Sequence, residues 1–141
     1  MRKQHLLTTD RREALLQRIS DHLSAHYHEV TAAYVHGSFV TSHSFCDIDV
    51  GVLTSKEVAT PVEFELRLEL ELQQICRYPV DVRMLAGAPF SFSQAVIRQG
   101  RVILDTDPNL RADFEAMVLK LYFDFAPFRR RYLAEVLNAP V

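Results

Sequence analysis

Two cysteines, Cys46 and Cys76, are all that the 141 residues carry, and they form no C-x-x-C pair. Such usage argues against a disulfide framework and a thiolate zinc site, and it fits a reducing compartment. Uninterrupted apolar runs of the length that spans a bilayer, about 20 residues, are missing as well. The opening segment MRKQHLLTTDRREALL has basic residues but neither an apolar core region nor a small-residue cleavage site, so no export signal is expected. A cytoplasmic location without membrane association is the resulting expectation. A basic excess is also missing: 16 Lys and Arg stand against 18 Asp and Glu, a formal net charge of −2. Direct DNA binding is not expected from that balance, because a duplex binder needs a basic face that releases counterions. A small anion held through a metal is compatible with it. Repeats and low-complexity segments are absent, and no two of the six histidines have the spacing of a known metal motif with supporting carboxylates. Most are expected at the surface, with His36 and His43 flanking the stretch described next.

What is present centres on residues 34–53, YVHGSFVTSHSFCDIDVGVL. An apolar strand, Val30–His36, runs into Gly37-Ser38, and after a polar spacer a second apolar run carries Asp47 and Asp49. If residues 45–53 form one strand, Asp47, Asp49 and Gly51 face one way and Ile48, Val50 and Val52 the other. Two carboxylates on one side of a strand, separated by a rise of about 6.6 Å, are costly to bury without a cation. They can converge on a pair of Mg²⁺ ions, which in two-metal sites sit about 4 Å apart. A Gly-Ser turn after a strand offers backbone N–H groups and a hydroxyl to phosphate oxygens. Each element alone is a common turn or a solvated strand face; the order strand, Gly-Ser, spacer, Asp-x-Asp points to metal-dependent phosphoryl or nucleotidyl chemistry.

The length fits one domain, residues 1–141, with a core over about 10–105 and a helical segment over about 107–138. A first helix starts at Thr9-Asp10 and runs to about Ala25, burying Leu15, Leu16, Ile19 and Leu23, with Arg11, Arg12, Glu13, Gln17 and Asp21 on its wet side. Residues 62–72, VEFELRLELEL, alternate like a strand but are composed of helix formers behind Pro61. Composition predicts a helix that buries Phe64, Leu68, Leu72 and Ile75 and leaves Leu66 and Leu70 on another face. A strand over 78–85 alternates Val80, Val82 and Met84 with Asp81 and Arg83. Asp81 is therefore either a third carboxylate beside the Asp-x-Asp strand or half of a surface pair with Arg83, and spacing alone favours the pair. A helix over Phe90–Gln99 closes at Gly100 as its C′ residue, and an apolar run 102–104 follows. The last helix starts near Thr106, Asp107 and Pro108 and carries Leu110, Phe114, Met117, Val118, Leu121, Tyr122 and Phe125. Pro127 kinks or breaks it, and its aromatic positions are expected in the core. Arg129-Arg130-Arg131 reads as a solvated face.

HGSFVTSHSFCDIDVGVL resembles the nucleotidyltransferase signature of the DNA polymerase β superfamily, and most nearly that of the minimal nucleotidyltransferases (MNT). The resemblance runs over residues 30–137 and takes in PVDVRML, VIRQGRVIL and the aromatic C-terminal helix. Two places depart from the family's pattern: the spacer from Ser38 to Asp47 is short, and Val40-Thr41 stands where a small and then a basic residue often follow. The resemblance implies an α/β (α+β) fold, a small mixed sheet with helices largely on one face. It implies Gly37 and Ser38 at the phosphates, Asp47 and Asp49 as metal ligands, and Asp81 as third carboxylate, metal ligand and acceptor of the attacking hydroxyl's proton. It further implies Mg²⁺, two ions, with ATP as substrate, and transfer of AMP to a tyrosine of a HEPN-domain toxin in a hetero-oligomer. Alternatives are nucleotidyl transfer to a small molecule of the aminoglycoside type, and an antitoxin that neutralises by occlusion alone.

Overall fold

A computed structural model describes residues 3–138; the first two and last three residues of the expected domain lie outside it. Strand β1 (His5–Leu6) leads into helix α1 (Thr9–His26). The cap is Thr8, one residue before the expected start, its side chain accepting from Arg11 N at 3.2 Å. Leu15, Leu16, Ile19 and Leu23 are buried, as their spacing predicts. Strand β2 (Val30–His36) ends at Gly37, and the short helix α2 (Ser38–Thr41), β3 (Ser44–Phe45) and β4 (Ile48–Thr54) follow. The single strand expected over 45–53 is thus split. Phe45 is buried against the rings of Phe39 and Tyr78, at 4.8 and 5.3 Å between centroids, and Ser44–Phe45 pairs antiparallel with β1 instead of joining the main sheet.

Helix α3 (Pro61–Cys76) settles the ambiguous segment in favour of composition. Phe64, Leu68, Leu72 and Cys76 are buried at four-residue intervals, while Val62, Leu66 and Leu70 are exposed. The helix leads to β5 (Val80–Met84), α4 (Phe90–Gln99), β6 (Arg101–Asp105), α5 (Pro108–Asp124) and α6 (Ala126–Asn138). The main sheet has the order β5-β4-β2-β6; β2 is antiparallel to both neighbours, and β4 and β5 are parallel.

Edge strand β5 explains the polar half of α3. Glu65, Glu69 and Gln73 accept from the backbone N–H groups of Met84, Val82 and Val80, at 2.8, 2.9 and 3.3 Å. Four helical residues rise about 6 Å, close to the rise of two strand residues, so an i, i+4, i+8 row matches alternate N–H groups of an antiparallel strand. An edge that would otherwise offer its donors to another chain is covered.

Helices α1 and α3 pack on the face formed by Ala33, Val35, Ile48, Val50, Val52, Val80 and Val82, and this is the larger core. The opposite face carries a smaller cluster around Ala32, Tyr34, Leu53, Leu85 and Val96, with Leu110 and Phe114 of α5 against it. Gly100 closes α4 with extended backbone and not the left-handed C′ geometry; glycine is needed there because a Cβ would lie 2.4 Å from Val96 O. Asp107 caps α5, accepting from Leu110 N at 3.1 Å.

The C-terminal segment corrects the sequence reading. The helix breaks at Phe125, with Pro127 in the first turn of α6 as its missing donor requires. Of the aromatic residues expected in the core, Phe114 packs against the smaller cluster, but Phe125, Phe128 and Tyr132 are at the surface, 48%, 60% and 65% exposed. Val118 is the only fully buried side chain of α5, and residues 130–137 of α6 are all exposed. Helical periodicity defined an apolar face, and over α6 no element among the described residues covers it. Arg129 also departs from a plain solvated face: it donates to Tyr122 O at 2.6 Å and its guanidinium lies 3.8 Å from that ring's centroid.

Candidate active site

Strand register assembles the site. His36 pairs with Asp49 across β2 and β4, and Asp49 pairs with Asp81 across β4 and β5. Register partners share a face, so His36, Asp49 and Asp81 form one row across three strands, opposite the buried Ile48 and Val50. Asp47 precedes β4 and is half-buried, as are Asp49 and Asp81.

Gly37 joins this row through its backbone. Its φ of 75° lies in the region that side chains avoid, and a Cβ there would sit 2.2 Å from Asp49 Oδ2. The turn is therefore packed onto the carboxylate, with Ser38 next to it. The structure thus brings Gly37, Ser38 and Asp49 together, and sets Asp81 beside Asp49.

Asp81 combines both expectations for it: it lies next to the Asp-x-Asp strand, and Arg83 Nε stands 3.8 Å from its Oδ2 on the edge strand. Burial pushes the Glu69 carboxyl above its usual range, and the adjacent Asp81 carboxylate adds to this against the opposing Val82 N–H. His36 was expected only to flank the site and is instead within its row, edge-on to Phe92 at 5.6 Å between centroids. Burial holds its imidazole below the ordinary value, resisted by the carboxylates of Asp81 and Asp47 and assisted by Arg83. His43 is exposed on the spacer.

Among the described residues, no group of three or more His, Cys, Asp or Glu side chains is arranged to hold a metal ion by itself. The donor chemistry nevertheless suits Mg²⁺, a hard cation that keeps several waters and is held by one or two carboxylates plus substrate phosphates. Asp47 and Asp49, two carboxylates two residues apart, meet that requirement without a complete protein cage.

Arg12 is the residue that sequence reasoning assigned wrongly. It was placed on the wet side of α1, yet it is half-buried and grips the spacer. Its Nη1 donates to Phe39 O at 2.5 Å and Ser42 O at 3.4 Å, its Nη2 to His43 O, and its Nε to Leu7 O at 3.3 Å. The guanidinium also lies 5.1 and 5.2 Å from the ring centroids of Phe39 and Phe45. The signal was available: positions 12, 16, 19 and 23 form one helical stripe, three of them apolar.

The model of the family "Polymerase beta, Nucleotidyltransferase" matches residues 17–109, which contain the whole row and the Gly-Ser turn. The chain belongs to this family. Beyond the matched region, the nucleotidyltransferase is similar in fold to solved toxin–antitoxin structures. It superposes on a chain of the MntA–HepT complex with a TM-score of 0.73 at 18% identity, covering 89% of this chain and 98% of that one. A chain of the complex of a tri-AMPylated Shewanella oneidensis HEPN toxin with an MNT antitoxin gives 0.74 at 19% identity, with the same coverages of 89% and 98%. A toxin–antitoxin structure with AMP-PNP gives 0.70 at 21% identity, covering 93% and 99%. Among curated proteins, sequence comparison finds no significant match. No helix among the described residues is long and apolar enough to cross a membrane.

Proposed function

We propose that this nucleotidyltransferase transfers AMP from ATP to a tyrosine of a HEPN-domain toxin, and so acts as the toxin's antitoxin. The observation that carries the reading is the packing of the Gly37 backbone on Asp49 with Asp81 next in register. It is supported by the fold shared with chains of complexes described as AMPylated toxin with MNT antitoxin and as toxin–antitoxin with AMP-PNP.

Gly37 lets the backbone approach the β- and γ-phosphates, and the Ser38 hydroxyl contributes a further donor. Asp47, Asp49 and Asp81 would hold Mg²⁺, two ions on this reading. Bound there, Mg²⁺ would polarise the phosphates and offset the charge of the leaving group. Asp81 accepts the proton of the tyrosine hydroxyl as its oxygen bonds to the α-phosphorus; the bond from that phosphorus to the α,β-bridging oxygen breaks, and pyrophosphate leaves. AMP on a toxin tyrosine adds an anion that repels RNA phosphate. The partner is then the HEPN protein, in a hetero-oligomer, and the reaction takes place in the cytoplasm.

The Asp81–Arg83 pair favours one other reading, neutralisation by occlusion with an inactive site. Intact mass spectrometry separates the two. Incubating a cognate HEPN-domain protein with this chain, ATP and Mg²⁺ should raise the toxin's mass by one or more AMP units. Full neutralisation without an adduct would establish occlusion instead.

A further inference from the structure

Arg12 stands outside the row of carboxylates, yet its side chain reaches the spacer and holds its backbone. The spacer lacks a basic residue in the positions after Gly37-Ser38-Phe39, where Val40 and Thr41 stand. Arg12 approaches the same loop from α1, behind it, and takes the carbonyls of Phe39, Ser42 and His43. Its fourth contact, Leu7 O, ties the loop to the segment between β1 and α1. All three nitrogens donate to backbone carbonyls, so the side chain is committed to holding the loop. Its guanidinium carbon also lies 5.1 and 5.2 Å from the ring centroids of Phe39 and Phe45, both buried.

We infer that Arg12 is the positioning residue of the nucleotide site: it sets the orientation of the Gly37-Ser38 turn by clamping the carbonyls of the loop that follows. The inference rests on the transfer reading above and deepens it. A planar fork with five N–H donors reaches several carbonyls at once, whereas a lysine offers one compact charge that cannot span Phe39, Ser42 and His43 together. Arg12→Lys is therefore not a conservative change here, although it keeps the charge. Misplacing a reacting group by about 1 Å can cost about a hundredfold in rate.

The test uses the full chain with Arg12→Ala, Arg12→Lys and the exposed-neighbour control Arg11→Ala. In the transfer assay, Arg12→Ala should raise KM for ATP by about ten- to a hundredfold. KM for the toxin should stay within about twofold, and far-UV circular dichroism should be unchanged. Arg12→Lys should recover little of the loss, and Arg11→Ala should behave as wild type. Hydrogen exchange gives a readout free of activity: the amides of Val40, Thr41 and Ser42, bonded to Gly37 O, Gly37 O and Ser38 O, should exchange faster in Arg12→Ala. Unchanged exchange there, an unchanged KM for ATP, or full function in Arg12→Lys would each overturn the inference. So would a loss in which both KM values rise while kcat and the folded fraction fall together, which marks a merely structural arginine. If wild type itself neither binds ATP nor transfers AMP, the transfer reading and the nucleotide role of Arg12 fall together, while exchange still reports whether the clamp holds the loop.

Discussion

Helices α3 and α6 carry apolar residues at similar helical spacing and have opposite surroundings. Phe64, Leu68 and Leu72 of α3 are at most 4% exposed, whereas Phe128, Tyr132 and Leu133 of α6 are 54% or more exposed. Composition does not separate them; what lies opposite does. Helix α3 faces the sheet and α1, and even its glutamates are used, bonding the edge of β5. Helix α6 follows a break at Phe125 and has none of the described residues over its apolar side. A repeating apolar pattern thus specifies a face but not the body that covers it. In this chain the buried face of α3 serves folding, and the apolar face of α6, like Leu66 and Leu70 on the outside of α3, is exposed.

That contrast can be broken by mutation. The largest effect on stability is expected at the centre of α3: Leu68→Ala should cost about 2–5 kcal/mol, read from the urea midpoint. A loss below about 1 kcal/mol would mean that the α3 face is not the core it is taken to be. An intermediate effect is expected at Glu69. Glu69→Ala leaves the Val82 N–H without its acceptor and should cost about 1–3 kcal/mol, while Glu69→Gln keeps a carbonyl oxygen and should cost less. Equal losses for the two would show that the hydrogen bond to the sheet edge is not what matters. The smallest effects on the isolated chain belong to the exposed residues: Phe128→Ser with Tyr132→Ser, and Leu66→Ser with Leu70→Ser, should each shift stability by about 0.5 kcal/mol or less per site. The Leu66/Leu70 pair should weaken the toxin complex more than the isolated fold, measured by calorimetric titration; a complex of unchanged affinity would remove that face from the interface.

The parts that sequence made legible are those whose determinants are local. Apolar spacing was enough for α1, helix-former composition together with the family resemblance for α3, and Thr106 or Asp107 before Pro108 for the start of α5. Residues 62–72 alternate because an exposed apolar row, Val62, Leu66 and Leu70, is interleaved with the buried Phe64, Leu68 and Leu72, while Glu65, Glu69 and Gln73 reach a strand edge. The Gly37-Ser38 turn and Asp-x-Asp could be read as a site, but two features of it could not. The contact between Gly37 and Asp49 depends on a backbone twist at Gly37, and the Asp49–Asp81 neighbourhood on parallel pairing of strands separated by a whole helix. The split at Phe45 was hidden because its partner, β1, is two residues long. Arg12 was hidden by its charge, although its position lay on the buried stripe of α1.

The account's central claim is that the Gly37–Asp49–Asp81 end of the sheet binds and uses ATP. Titration calorimetry with AMP-PNP and Mg²⁺ tests it most directly, comparing wild type with Asp49→Asn and with the Leu66→Ser/Leu70→Ser variant. Wild type and the leucine variant should bind alike, and Asp49→Asn should bind at least about tenfold more weakly, about 1.4 kcal/mol, with its circular dichroism unchanged. Equal binding by wild type and Asp49→Asn would contradict the claim and move the nucleotide, and with it the chemistry, away from this row.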